Sequence, residues 1–153
     1  MPMRDAMESV RAFHDKMNVP QQHTPTLIPG DRRLAQDFAE RLSSLSFQAL
    51  GVGTLEGDLL LLRLSLALEE FSEWLAAHAK GDMVAAADAW ADRAYVLIGD
   101  AVIAGLPASE LFEAVHASNM SKSPTSLAGG KALKGPGYFR PDIAEILKHS
   151  SHR

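Results

Sequence analysis

Leu59 to Trp74 reads LLLLRLSLALEEFSEW, a leucine-rich run that closes by setting Glu69, Glu70 and Glu73 within about one helical turn. Residues three and four apart share a helix face, so Glu70 points with Glu73, and Glu69 and Glu73 form the neighbouring pair. Like charges at that spacing repel, and the apolar run before them predicts a largely buried helix in which the repulsion costs more. A divalent cation would remove that cost. Alone, an EExxE on a helix is more often a solvated acidic turn. A second acidic pair, Asp88 and Asp92, four apart in another helical segment, strengthens the signal, because two such faces can make one metal site.

Working outward, the periodicity predicts an all-α protein. Met3, Met7, Val10, Phe13 and Met17 recur at helical spacing, giving a first helix that buries Phe13 beside His14 and stops at Asn18 to Pro20. Prolines 20, 25 and 29 make the next stretch an extended connector. A second helix runs from near Asp31 to Leu50, with Leu34, Phe38, Leu42, Leu45 and Ala49 on one stripe; Gly51 ends it and GVGT reads as a turn. The third extends from about Leu55 to Lys80, with Glu56 and Asp58 in its first turn. Gly81 stops it, and Asp82 caps a fourth from Met83 to about Ala104, which carries Trp90, Tyr95, Val96 and Ile98. A fifth runs from Pro107 through Asn119 with Leu111, Phe112 and Val115 inward, and a loop rich in Gly, Pro, Ser and Lys leads to a short last helix from Pro141 to Lys148.

The expected architecture is an antiparallel helical bundle of four to five main helices plus the short C-terminal one, in a single domain spanning 1–153. So short a loop joins the third and fourth helices that they must pack as an αα-hairpin. At ~1.5 Å per residue, the acids before that turn and the acids after it then fall at similar heights.

At 153 residues and 46% hydrophobic content, the chain can bury a core without staples. It has no cysteine, which excludes disulfides, thiolate metal sites and cysteine nucleophiles, and fits a cytoplasmic setting. MPMRDAMESV lacks the apolar segment of a signal peptide, and the longest apolar run, broken by Arg63 and Ser65, falls short of the ~20 residues a membrane span needs. A net charge of −4 argues against general nucleic-acid binding. The charge is uneven: beyond Asn119, Lys122, Lys131, Lys134, Arg140, Lys148 and Arg153 face only Asp142 and Glu145. An acidic metal centre with a basic tail suits a polyphosphate.

Magnesium takes carboxylate oxygens, keeps some water and commonly binds substrate phosphates as well. Glu70, Glu73, Asp92 and Asp88 match that demand, Mn²⁺ being an alternative to Mg²⁺, and Glu69 is the candidate to orient or deprotonate a water. Zinc lacks a signature, since His149 and His152 sit in the tail at a spacing that matches known zinc signatures poorly. No phosphate-binding glycine loop or GxSxG elbow is present, and Gly129 with Gly130 is too isolated to count. Asn119, Lys122 and Lys134 can instead hold phosphates, and Arg140 can contact one in bidentate fashion. Trp74, Trp90 and Tyr95 are the aromatics for a base pocket, although aromatics at helical spacing are more often core.

Several of these motifs together resemble one family. They are the EExxE of Glu69 to Glu73, DxxxD with YV from Asp88 to Val96, NMSK at Asn119 to Lys122 and KGPGYFRPD from Lys134 to Asp142, with AFH at Ala12 to His14 and TPTL at Thr24 to Leu27. The pattern is similar to the all-α nucleoside triphosphate pyrophosphohydrolases, in the MazG-like and phosphoribosyl-ATP pyrophosphohydrolase-like branch. That resemblance implies a helical bundle, obligately dimeric or tetrameric, that uses magnesium to cleave a nucleotide between the α and β phosphates. It implies Glu70, Glu73 and Asp92 as metal ligands, Glu69 and Asp88 completing the acidic cluster, and Asn119, Lys122, Lys134 and Tyr138 near substrate. The expected activity is release of pyrophosphate from a (deoxy)nucleoside triphosphate, a reaction suited to nucleotide housekeeping, with phosphoribosyl-ATP hydrolysis or a non-catalytic nucleotide-binding oligomer as alternatives. The chain departs from the family pattern in three places. Many relatives have ExxD, whose glutamate would fall at Ala89, so Asp88 stands in from one position earlier. The segment from about Asp31 to Gly57 is longer than the usual link, and Arg93 stands where relatives usually show an apolar residue.

Overall fold

The computed structural model describes residues 1–125 and 130–150. Of the residues weighed above, Gly129, His152 and Arg153 lie outside the described residues. The chain is all-helical, with six helices and no strand among the described residues: α1 (Met3–Met17), α2 (Arg32–Glu56), α3 (Leu59–Lys80), α4 (Met83–Ala104), α5 (Ala108–Met120) and α6 (Ile143–Ser150). It divides into two compact units, Thr24–Ala104 carrying α2 to α4, and Met1–His23 with Gly105–Arg153 carrying α1, α5 and α6. Among the described residues no single helix is long and apolar enough to cross a membrane.

In the first of these units, one device is used twice. Gly57 (φ 63°) ends α2 and Gly81 (φ 72°) ends α3, each in the left-handed conformation that glycine adopts without a Cβ clash. Each is followed directly by an aspartate: the Asp58 and Asp82 carboxylates accept the backbone N–H of Leu61 and Ala85, both at 3.0 Å, and so cap α3 and α4. Connections this tight fold α2, α3 and α4 back on one another as antiparallel neighbours, and α3 packs on both others.

Two helix boundaries differ from the sequence reading. Helix α2 does not end at Gly51 but runs through GVGT to Glu56, so Glu56 closes α2 instead of opening α3. The reason is packing. A Cβ on Gly53 would stand 3.1 Å from the backbone N and side chain of Leu62, so this glycine serves the close approach of α2 to α3 and not a turn. The same economy governs the core, where the buried positions are Ala39, Ser46, Ala49 and Gly53 of α2, Ser65 and Ala77 of α3, and Ala86 and Ala89 of α4. Small side chains let the backbones close up, and the bulky residues are left at the flanks. Phe38 and Leu45, expected on the inward stripe, are therefore 54% and 50% exposed, and the leucine run of α3 is not buried as expected, Leu60 being 78% exposed. Trp90 and Tyr95 are exposed too and are not part of the core.

Arg63 ties the hairpin together. Its Nε lies 2.7 Å from Asp100 Oδ1, its other nitrogen donates to the Val96 carbonyl at 2.6 Å, and Gly99 leaves the guanidinium room, since a Cβ there would sit 2.7 Å from it. In the second unit, α1 stops at Asn18, and Met17, not Phe13, is the residue fully buried on it. Lys16 donates to the Met120 carbonyl, and α1 and α5 pack together.

Candidate functional site

Five carboxylates gather on α3 and α4. Glu69, Glu70 and Glu73 lie in the second half of α3, before the Gly81–Asp82 turn, and Asp88 and Asp92 lie in the first half of α4, after it, so the hairpin sets them against each other. Their mutual influence shows in Glu70. Burial first, then the charges of Glu73, Asp92, Glu69 and Asp88, push its carboxyl from the ordinary 4.5 up to about 7. Glu73 is raised as well, by burial and then by Glu69, Asp92 and Asp88. One Glu70 oxygen, Oε2, is buried with no hydrogen-bond partner.

Such an arrangement is unfavourable for the fold and suited to a cation. Clustered acids with an unpartnered buried oxygen form an all-oxygen donor set, the chemistry that magnesium and manganese take. Among the described residues no three of these side chains close on one point as ligands, so the cluster is a ring of donors and not a finished cage.

Arg93 is one residue from Asp92, yet it does not neutralise the acids. Its guanidinium sits 3.9 Å from the centroid of Phe71 and 4.7 Å from that of Trp74, with Nε buried and unpartnered. Burial lowers its pKa. Phe71 follows Glu70 and Trp74 follows Glu73, so the aromatic cage that holds Arg93 also fixes how α3 and α4 are turned toward each other. The sequence marked Arg93 as unusual, but nothing in it paired the residue with two rings on α3.

Ala89, the position at which the ExxD pattern would put an acid, is 2% exposed and packs in the core. Asp88 is exposed beside it and contributes to the field at Glu70. A groove between α2 and α3, about 290 Å³, is lined by Glu69 and Glu73 together with Ser43, Ser46 and Phe47. A larger cavity of about 370 Å³ surrounds Trp74 and His78 under Ile28 and Arg32, and none of the five acids lines it.

In the other unit, the structure gathers Asn119, Lys122, Lys134, Tyr138 and Arg140 near the C-terminal end of α5. Serines do this, and sequence reasoning missed them. Ser118 Oγ donates to the Phe139 carbonyl at 2.8 Å, and Ser121 Oγ accepts the Phe139 N–H at 3.1 Å, stapling the KGPGYF segment to α5. Ser123 and Leu133 exchange backbone hydrogen bonds at 2.9 and 2.8 Å, and Gly135 passes close by, a Cβ there falling 2.7 Å from Ser123 Oγ. The Lys134 ammonium rests 5.2 Å from the Tyr138 ring centroid. Only the repeated serines around NMSK, at positions 118, 121 and 123, hinted at this network.

With this geometry in view, the comparisons define first a class. Residues 53–119, from the last turn of α2 through Asn119 and including all five acids, match a model of pyrophosphohydrolases, hydrolases that act on phosphoric anhydrides. The matching family is described as phosphoribosyl-ATP pyrophosphohydrolase, which lies within the MazG-like all-α superfamily that the motifs resembled. Neither a curated protein nor a solved structure matches the chain.

Proposed function

We propose that the chain is a magnesium-dependent nucleotide pyrophosphohydrolase that converts a (deoxy)nucleoside triphosphate and water into the monophosphate and pyrophosphate. The observation that carries this reading is the gathering of α3 and α4 carboxylates around Glu70, whose buried Oε2 has no partner among the described residues. Glu70, Glu73, Asp92 and Asp88 would hold Mg²⁺ or Mn²⁺. Bound there, the ion supplies charge neutralisation at the phosphates and acidifies a water. Glu69, which is exposed, would orient the attacking water and accept its proton as the bond from the α-phosphorus to the bridging oxygen breaks. Asn119, Lys122, Lys134, Tyr138 and Arg140 offer the N–H, O–H and ammonium donors that a polyphosphate accepts.

A second reading, phosphoribosyl-ATP as substrate, is favoured by the description of the matching family. Both substrates release pyrophosphate from a triphosphate, so one assay separates them. Pyrophosphate release is measured over a panel of ribo- and deoxynucleoside triphosphates and phosphoribosyl-ATP, with Mg²⁺ or with chelator, and the organic product is identified. Turnover of a nucleoside triphosphate that stops with chelator supports the first reading, and turnover confined to phosphoribosyl-ATP supports the second. Saturable binding without turnover of any of them leaves a nucleotide-binding protein instead.

Self-association is part of the proposal. Leu60, Tyr95 and Val102 are 78%, 81% and 75% exposed, more bulky apolar surface than an isolated chain keeps in water without consequence. A homodimer or homotetramer would cover it, and light scattering on the purified chain measures the mass directly.

A further inference from the structure

The groove between α2 and α3 has a composition of its own. Ser46 Oγ donates to the Ser65 carbonyl (2.7 Å), Ser65 Oγ to the Leu62 carbonyl (2.8 Å) and Ser72 Oγ to the Ala39 carbonyl (2.7 Å). A hydroxyl has one hydrogen, so these three offer a ligand only lone pairs. Glu69 and Glu73, also lining the groove, accept when ionised. Of its hydroxyls only Ser43 is left to donate, since it makes no hydrogen bond within the described residues. A lining of acceptors repels a triphosphate, which is itself acceptor and anion. It selects a moiety that donates: sugar hydroxyls, an exocyclic amine, a ring N–H. Phe47, 74% exposed, adds an aromatic face on which a base can stack. A volume of about 290 Å³ has room for a nucleoside and not for a whole nucleoside triphosphate.

We propose that this groove receives the nucleoside part of the substrate, with the phosphates leaving it past Glu69 and Glu73 toward the other acids of the cluster. The inference rests on the hydrolase reading for its phosphate end, and its own content is the role of α2. Ser43, Ser46, Phe47 and Leu50 all precede residue 53, so this wall of the groove lies outside the stretch that matches the family model. Base and sugar preference would then be set by residues that this chain does not share with that model.

The test is calorimetric binding of α,β-imido nucleoside triphosphates and of inorganic triphosphate, both with Mg²⁺, to the intact chain and to Phe47→Ala and Ser43→Val. Phe47 is exposed, so its loss leaves the packing alone. The expected result is at least tenfold weaker binding of the nucleotide analogue by Phe47→Ala, a smaller loss for Ser43→Val, and unchanged binding of inorganic triphosphate. Equal analogue affinity in wild type and Phe47→Ala overturns the proposal, as does a change of oligomeric mass in that variant, which would assign Phe47 to a second copy. Phe47-dependent binding of the analogue, together with no pyrophosphate release from the parent nucleoside triphosphates, upholds the groove and removes the hydrolase reading. A wild type that binds neither ligand removes both.

Discussion

Replacing Glu70 by Gln should make the metal-free protein more stable at pH 8 while removing its response to magnesium. The magnitude follows from the site. The Glu70 carboxyl is held at about 7 against an ordinary 4.5, so the fold prefers it protonated. Its folded pKa is raised, so between those two values the native state binds more protons than the unfolded chain, and stability falls as pH rises through the window. Above about pH 7 the loss is complete. At about 1.4 kcal/mol per unit the gross figure is about 3 kcal/mol; with allowance for solvent screening of a partly exposed group, about 1–2 kcal/mol remains. Gln has the same shape without the charge. By thermal melting, the variant should gain roughly 2–8 °C at pH 8, at about 2–4 °C per kcal/mol for a chain of this size, and nothing at pH 4.5. Magnesium should raise the midpoint of wild type by mass action and leave the variant's nearly unmoved. A variant less stable than wild type at pH 8, or a difference that does not change with pH, would refute the reasoning, because the buried carboxylate would then be acting as a stabilising group.

Other outcomes follow from the same geometry. Glu73→Gln and Asp92→Asn should each lower pyrophosphate release by at least about a hundredfold with the helical circular dichroism unchanged, since each removes a ligand charge at nearly constant volume. Arg93→Ala should cost about 2 kcal/mol in urea unfolding and shift Trp74 emission, because the variant loses two cation–π contacts and the packing of the guanidinium stem. An unmoved spectrum would place Arg93 outside the cage. Ala89→Glu, which writes in the acid of the ExxD pattern, should destabilise by several kcal/mol and not raise activity, because the position is buried in the core.

What could be read from the sequence was whatever local chemistry dictates. The Gly81–Asp82 pair carries both a left-handed stop and an N-cap, so the α3–α4 hairpin, and with it the placing of Glu69, Glu70 and Glu73 at the height of Asp88 and Asp92, followed from residue type alone, whereas the same pair at Gly57–Asp58 went unread. Gly53 misled for the opposite reason. A glycine that ends a helix and a glycine that lets another helix approach look alike until Leu62 is seen 3.1 Å from its missing Cβ. The inward stripe of α2 failed because hydrophobicity was weighed by size, whereas this interface is built from Ala39, Ser46, Ala49 and Gly53, which bury little area but permit contact between backbones. The Arg93 cage and the serine staples around Phe139 join residues on different segments, and no single window of sequence holds both partners.

The central claim is that carboxylates of α3 and α4 share a cation. Crystals of the intact chain soaked in manganese, measured at the manganese absorption edge, test it directly. The account predicts an anomalous peak at ligand distance from Glu70 or Glu73 on one helix and from Asp92 or Asp88 on the other. A manganese bound elsewhere, or none at the carboxylates at saturating concentration, would contradict it.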